Sequence, residues 1–359
     1  MREVVLITGC SGRIGFKAAE RFSKSYEVVG FDVIFAGTLP DVEFVMVDIA
    51  SDRSVEEGLA HVKKNFGNRI ASVVHLAAYY SFSEQESPLY EAITVKGTER
   101  LLRGLKDFEV GQFIFSSTML VHAPTEPGIK INENSLVAPK WAYPRSKVAT
   151  EKVIHDMRGN IPTVILRIAG VYDDHCHSIP ISEQIKRIYE NELESHLFAG
   201  NLHHGASFVH MDDLIDALEL CVNKRKELPQ ETVLLIGEDE TMSYEEMQDT
   251  ISMFLYNKKW KTWSIPKPLA KIGAWLQDKL PFVPKSFIKP WMIDLADDHY
   301  ELDITQAYKL LGWKPQHMLR TSLGVMIERL KEDPITWYDE NKLKMSPSCR
   351  EKNCPKKAA

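Results

Sequence analysis

The sequence predicts an α/β fold: a doubly wound parallel sheet carrying a smaller, mostly helical C-terminal lobe. Three observations lead there. Short β-rich apolar runs alternate with helical patterns through the first half of the chain. A glycine-rich turn, "TGCSGRIG", follows the first of those runs directly. After about Gly170 the alternation breaks and helical patterns take over. Regular alternation of this kind means parallel strands, because each parallel pair needs a long crossover and the crossover is usually a helix.

The strand runs, in order, are "EVVLITG", "YEVVGFD", "EFVMVDI", "ASVVHLAA", "QFIFSST" and "PTVILRIAG". Helical patterns lie between them, as at 101–105 and 149–157. Beyond Gly170, a helical stretch at 181–193 sits among loops carrying His175, His177, His203 and His204. "SFVHMDDLIDALELC" reads as a short strand feeding a helix, and "ETVLLIG" as a further strand. Ser243 followed by Glu246 has the form of a capping box opening a helix to Leu255. A last helical pair is expected at 304–311 and 318–330. The expected organisation is a cofactor domain over 1–170, with 205–237 returning to it. Residues 171–204 and 238–335 then form a substrate lobe, and 336–359 a disordered tail.

Composition narrows the functional classes. A chain of 359 residues with 44% hydrophobic content can bury a large core. Its net charge of −6 supplies no basic excess for releasing phosphate counterions, so a nucleic-acid partner is not expected. No apolar run reaches the length of about 18 residues that suggests a membrane span. Five scattered cysteines (Cys10, Cys176, Cys221, Cys349 and Cys354) are odd in number and lack framework spacing. They fit a reducing, cytoplasmic compartment.

Gly9, Gly12 and Gly15 stand at G-x-x-G-x-x-G spacing between a strand and a helix. Glycines there let backbone N–H groups and a helix N-terminus approach a pyrophosphate, which points to a dinucleotide. Asp32 closes the second strand, where a carboxylate would bind the adenosine ribose hydroxyls. It would repel a phosphate on that ribose, so NAD is expected rather than NADP; Arg13 nearby is the one opposing residue. Asp48 is a candidate acceptor for the adenine amino group, with a plain loop carboxylate as the alternative.

Tyr143 and Lys147 lie four positions apart, on one face of any helix they share. With the glycine loop, "HLAA" at 75–78, "FSST" at 115–118, "LRIAGVY" at 166–172 and "FVHMDD" at 208–213, this order resembles the extended short-chain dehydrogenase/reductase superfamily. Within it, the chain resembles the NAD-dependent epimerase/dehydratase family over roughly residues 1–330. The resemblance implies a Rossmann domain, an NAD-dependent enzyme and a catalytic set of Thr118, Tyr143 and Lys147. It implies that Gly9, Gly12, Arg13, Ile14, Gly15, Asp32, Asp48, Ile49, Leu76, Ala77, Ala78, Tyr143 and Lys147 surround NAD. It also implies a small-molecule substrate and a homodimer. A free tyrosine has a pKa of ~10, too high for an efficient base at neutral pH. Lys147 is expected to stabilise the phenolate, and Thr118 to hydrogen-bond the reacting oxygen.

Dehydratases of this resemblance carry Asp-Glu after the catalytic Thr. Here those positions are Met119 and Leu120, neither of which transfers a proton, so a 4,6-dehydratase is disfavoured. An NAD-dependent epimerase of a sugar or sugar nucleotide is the first expectation. A dehydrogenase or reductase of a less polar hydroxyl or ketone, similar to 3β-hydroxysteroid dehydrogenases, is the alternative. Gly170 and Ala206 stand where sugar-nucleotide enzymes place an Asn and an Arg, which weakens the first; Lys186 or Arg187 is the available substitute. Thr94 stands where an Asn is usual.

In 265–291, Leu269, Ile272, Leu276 and Leu280 recur at helical spacing, with Lys271, Lys279, Trp275 and Trp291 nearby. This stretch is expected to pack on the lobe's own core, with weak membrane-surface contact as the alternative. No metal is expected: His175, Cys176 and His177 are too close together for a structural zinc site. His210, Asp212 and Asp213 are expected to cap and anchor the following helix.

Overall fold

The computed structural model describes residues 2–35, 37, 39, 41–81, 86–279, 289–347, 349 and 350. Along the chain, β1 (Val4–Thr8), α1 (Arg13–Phe22), β2 (Glu27–Asp32), β3 (Val42–Met46) and α2 (Asp52–Phe66) come first. They are followed by β4 (Arg69–Ile70), β5 (Ser72–His75), α3 (Lys96–Gly104), β6 (Glu109–Val110), β7 (Phe113–Thr118), α4 (Ala142–Met157) and β8 (Thr163–Ile168). Then come β9 (Gly170–Tyr172), α5 (Ile179–Tyr189), β10 (Leu197–Ala199), β11 (Phe208–His210), α6 (Met211–Asn223) and β12 (Glu231–Ile236). The last elements are α7 (Tyr244–Tyr256), β13 (Trp263–Ile265), α8 (Lys267–Lys279), α9 (Pro290–Asp294), α10 (Thr305–Leu311), α11 (Leu319–Glu332) and α12 (Pro334–Glu340).

Seven of these strands make one parallel sheet in the order β12-β8-β7-β5-β1-β2-β3. The chain begins at β1, winds outward through β2 and β3, then crosses back to β5 on the other side of β1. The order therefore reverses between β1 and β5, the place where open α/β sheets bind ligands at their carboxyl ends.

Successive residues of β1 serve opposite layers, as strand geometry requires. Val5 and Ile7 join a core with Ala18, Leu214 and Leu218, while Val4 and Leu6 join one with Val55, Leu59 and Leu101. Both faces of the sheet are thus covered. A third core holds the C-terminal lobe, built from Ile181, Ile185 and Ile188 with Ile251, Leu323 and Ile327. The expected capping box is present: the Ser243 and Glu246 side chains each accept from the other's backbone N–H at the start of α7.

Two expectations need correction. Residues 334–340 are helical, and α12 buries Trp337 and Tyr338 in the lobe core, with the Tyr338 hydroxyl donating to Glu190 Oε1 at 2.8 Å. These two aromatics anchor a segment that was expected to be disordered from 336. Cys354 and the rest of 351–359 lie outside the described residues. The second correction concerns α8. Its apolar residues Leu269, Ile272 and Trp275 are exposed rather than packed on the lobe core. The helix is held from its other side, where Lys267 pairs with Asp297 and Lys271 with Asp294. The side chains of Leu276 and Lys279, and all of Leu280, lie outside the described residues. No helix among the described residues is long and apolar enough to cross a membrane.

Candidate active site

The glycine loop lies at the switch point. Gly9 has φ +72°, and a Cβ on it would meet Ala77 N at 2.8 Å and Leu76 C at 3.0 Å. A Cβ on Gly15 would lie 2.1 Å from the Gly9 carbonyl oxygen. The segment Leu76-Ala77-Ala78, which leaves β5, therefore lies directly against this loop. Helix α1 starts at Arg13, after Gly12 as an N-cap that supplies no side-chain acceptor. Its first N–H groups are left for an anion, which suits a pyrophosphate.

Asp32 ends β2 beside the same loop. One carboxylate oxygen accepts from Ser11 N at 2.8 Å and the other from Val33 N at 2.7 Å, which fixes the group in place. Ile14 is half-buried and Arg13 exposed on α1. Ile49 is buried against Gly97, while the exposed Asp48 accepts from Ala50 N at 2.8 Å within its own turn. A cradle that a Cβ would fill, an uncapped helix N-terminus and a carboxylate at the adjacent strand end together fit a dinucleotide.

At the end of β7, Thr118 Oγ1 accepts from Leu120 N at 3.3 Å. Tyr143 stands in the first turn of α4 and is followed by Pro144, where the missing N–H has no intrahelical partner to lose. Around the phenol stand Tyr80, Trp141 and Tyr90, with ring centroids 4.9, 5.5 and 6.4 Å from that of Tyr143. Lys147 is buried on the same helix, its Nζ donating to the Ser116 carbonyl at 2.6 Å and lying 5.7 Å from the Tyr143 ring centroid.

The electrostatics differ from the expectation. Burial pushes the Tyr143 phenol up to about 12, and it is the Thr118 side chain that opposes this. Burial also pushes Lys147 down to about 7, with the Glu151 carboxylate acting the other way. Desolvation penalises the charged form of each group, so it outweighs the expected pull of the ammonium on the phenol.

Spacing arguments missed a network behind the helix. Glu151, one turn past Lys147, accepts from Ser117 Oγ at 2.5 Å and from Arg167 Nη2 at 2.8 Å. Arg167 Nη1 also lies 3.1 Å from His122 Nε2 and donates to the Glu133 carbonyl at 3.1 Å. The i,i+4 step from Lys147 to Glu151 was the available signal. Thr94 is buried, and its hydroxyl accepts from Tyr79 N at 3.0 Å.

A cavity of 360 Å³ has Leu120 and Trp141 in its wall, two residues along the chain from Thr118 and Tyr143, which do not themselves line it. Phe198, Phe208, Met242, Met247, Trp291 and Ile293 extend that wall, with Ala206, Arg187, Gln184 and Tyr244 also lining it. Gly170 has a local reason to lack a side chain: a Cβ there would lie 2.7 Å from the Phe208 ring.

The histidines tie loops together. His177 pairs with Asp173 at 2.7 Å and His175 with Glu340 at 3.0 Å. His203 pairs with Glu245 at 3.4 Å, and His204 with Glu126 at 3.2 Å. His210 caps α6 by accepting from Asp212 N at 3.2 Å, and Asp213 holds His317 Nδ1 at 3.0 Å. Ligand atoms of His210, Asp212 and His317 come within 4.8 Å of one another. The two rings stack 4.0 Å apart at 23°, however, so their in-plane lone pairs run side by side and do not converge on one ion.

The chain matches the NAD dependent epimerase/dehydratase family over residues 5–237. It is similar to sterol-4-alpha-carboxylate 3-dehydrogenase, decarboxylating, of Candida albicans, with 22% identity over 92% of this chain and 98% of that protein. It is also similar to UDP-glucose 4-epimerase of Vibrio cholerae, with 25% identity over 89% and 93% of the two chains. Among solved structures, UDP-glucuronic acid 4-epimerase from Bacillus cereus, in complex with UDP-glucuronic acid and NAD, aligns with a TM-score of 0.69. That alignment has 22% identity over 92% of this chain and 99% of that one. Together with the dinucleotide cradle, the family match means that this chain is an NAD-dependent enzyme and belongs to the NAD-dependent epimerase/dehydratase family.

Proposed function

We propose that the chain interconverts a secondary hydroxyl and a ketone on a substrate with a largely apolar body, as a net dehydrogenase or reductase. One observation carries this reading: the cavity whose wall includes Leu120 and Trp141, two residues from Thr118 and Tyr143, is otherwise walled largely by Phe198, Phe208, Met247, Trp291 and other apolar side chains. A sugar nucleotide carries hydroxyls and a diphosphate along its length, and each needs a donor or a cation once it leaves water. This wall is mainly apolar; its polar members are Lys140 paired with Asp298, Arg187, Gln184, His204, Tyr244 and Tyr300. The Candida relative, named for a sterol carboxylate, supports the same direction.

In this reading residues 1–170 and 205–237 hold the cofactor, and 171–204 and 238–335 hold the substrate. The glycine loop with Arg13 and Ile14, the acidic pair Asp32 and Asp48 with Ile49, and Leu76, Ala77 and Ala78 line the dinucleotide. Bound NAD supplies the hydride acceptor. The chain's own residues handle the proton: Tyr143 takes it from the substrate hydroxyl while Thr118 holds that oxygen by a hydrogen bond. Lys147, when protonated, stabilises the phenolate from its place 5.7 Å from the Tyr143 ring centroid. Arg167 and Ser117 fix Glu151, and with it the orientation of α4 against β7 and β8. Met119 and Leu120 leave no second acid or base at the strand end, so proton transfer is confined to this set.

Arg187 favours a second reading, epimerisation of a sugar nucleotide. It lines the cavity, donates to the Glu183 carbonyl at 3.2 Å and to Gln184 at 2.7 Å, and has no carboxylate partner among the described residues. Its charge remains for a phosphate, and the Vibrio relative is named for that chemistry.

NADH absorbance separates the two. With NAD and a 3-hydroxysterol in mixed micelles, the first reading expects NADH to accumulate in proportion to ketone. Conversion of UDP-glucose to UDP-galactose without NADH accumulation, and no reaction with the sterol, would replace it with the second.

A further inference from the structure

Helix α8 presents the side that a surface helix ordinarily buries. Its half-buried side, Lys267, Ala270, Lys271 and Ala274, faces the protein. Lys267 pairs with Asp297 and donates to the Asp294 carbonyl at 2.9 Å, and Lys271 pairs with the Asp294 carboxylate at 2.5 Å. The other side shows Leu269, Ile272 and Trp275 to solvent at 59, 56 and 55% exposure. Steps of three residues place them along one face, so two ion pairs hold the apolar stripe outward.

The neighbouring segment continues this chemistry. Trp263 of β13 is 48% exposed, and Lys261 Nζ lies 5.1 Å over its ring. Lys258 lies 5.6 Å over the Tyr256 ring. Neither lysine has a carboxylate partner among the described residues. Exposed Trp and Leu side chains beside unpaired lysines match the demands of a bilayer interface: apolar groups enter the acyl boundary and cations meet anionic headgroups. The face is also continuous with the cavity. Leu197, which lines the cavity, pairs in register with Trp263, and α9, against which α8 packs, contributes Trp291 and Ile293 to the wall. A two-fold contact with a second copy fits less well, because it would bring the same lysines into one patch.

We propose that α8 and β13 form a docking face that lies on an anionic membrane surface, with the substrate cavity beside it. This goes beyond the catalytic reading and is measured without turnover, so either can fail alone. The full chain is sedimented with vesicles of phosphatidylcholine alone and of phosphatidylcholine mixed with phosphatidylglycerol. The expected result is binding to the mixed vesicles that weakens as salt rises. The combined Leu269→Ser, Ile272→Ser and Trp275→Ser variant is expected to partition about tenfold less or weaker. Its melting temperature and NADH binding should be unchanged, since all three side chains are exposed. Lys258→Glu with Lys261→Glu is expected to remove the preference for the anionic lipid. Absence of sedimentation with either vesicle, or equal partition of the triple variant, overturns the proposal. So does a concentration-dependent dimer that the triple variant abolishes, which would make a second copy the occupant.

Discussion

The Arg167 guanidinium of β8 clasps the Glu151 carboxylate of α4 along two edges, Nη2 to Oε2 at 2.8 Å and Nε to Oε1 at 3.2 Å. Both side chains are largely buried. The pair joins the helix that carries Tyr143 and Lys147 to the sheet that carries Thr118. Arg167→Met would leave a buried carboxylate without its cation, and the expected loss of stability is about 3–5 kcal/mol in urea denaturation. Adding Glu151→Leu removes the orphaned charge and is expected to restore most of that loss. A double variant no more stable than Arg167→Met would contradict the pairing.

Lys147 gives the cofactor-free protein a pH dependence with a definite sign. Its folded pKa is pushed from 10.5 down to about 7 by burial, so between those values the unfolded chain binds the extra proton. Stability then rises with pH across this window, and the contribution is lost as pH falls toward 7, by up to about 5 kcal/mol. The difference between the stability curves of wild type and Lys147→Met isolates it. Parallel curves would show that the ammonium is not held in this environment.

Asp32→Ala is expected to weaken NAD binding about tenfold, and NADP binding less, because the carboxylate favours ribose hydroxyls and repels a phosphate at the same place. Fluorescence titration with NADH and NADPH measures both. Equal losses would mean that Asp32 acts only by holding Ser11 N.

Tyr143→Phe keeps the ring within its aromatic surroundings and removes only the hydroxyl. Turnover is expected to fall by about a hundredfold to ten-thousandfold while NADH affinity is retained. Thr118→Val is expected to lower turnover in the same direction, because it loses both the substrate contact and the hydroxyl that opposes the rise in the Tyr143 pKa. Full turnover in Tyr143→Phe would remove the proton-transfer assignment.

The parts legible in the sequence are those with local causes. Gly9 and Gly15 are demanded by positive φ and by backbone contact within a few residues, and alternating runs reveal a parallel sheet wherever the strands pair. The Ser243 and Glu246 capping box closes within one helical turn. What stayed hidden depends on neighbours distant in the chain. Arg167 reaches Glu151 only once β8 and α4 are packed, and the Lys147 pKa follows from burial that periodicity does not measure. An amphipathic stripe marks one side of α8 but does not say which side the protein covers; Asp294 and Asp297 settle that. In α12, seven residues are too few to show a period, and two buried aromatics order the segment.

The most direct test of the central claim is mass spectrometry of the small molecules released from freshly purified protein. The largely apolar cavity walled by Leu120, Trp141 and Trp291 predicts NAD together with a lipid-like secondary alcohol or ketone. NAD together with a nucleotide sugar, and no such lipid, would contradict it.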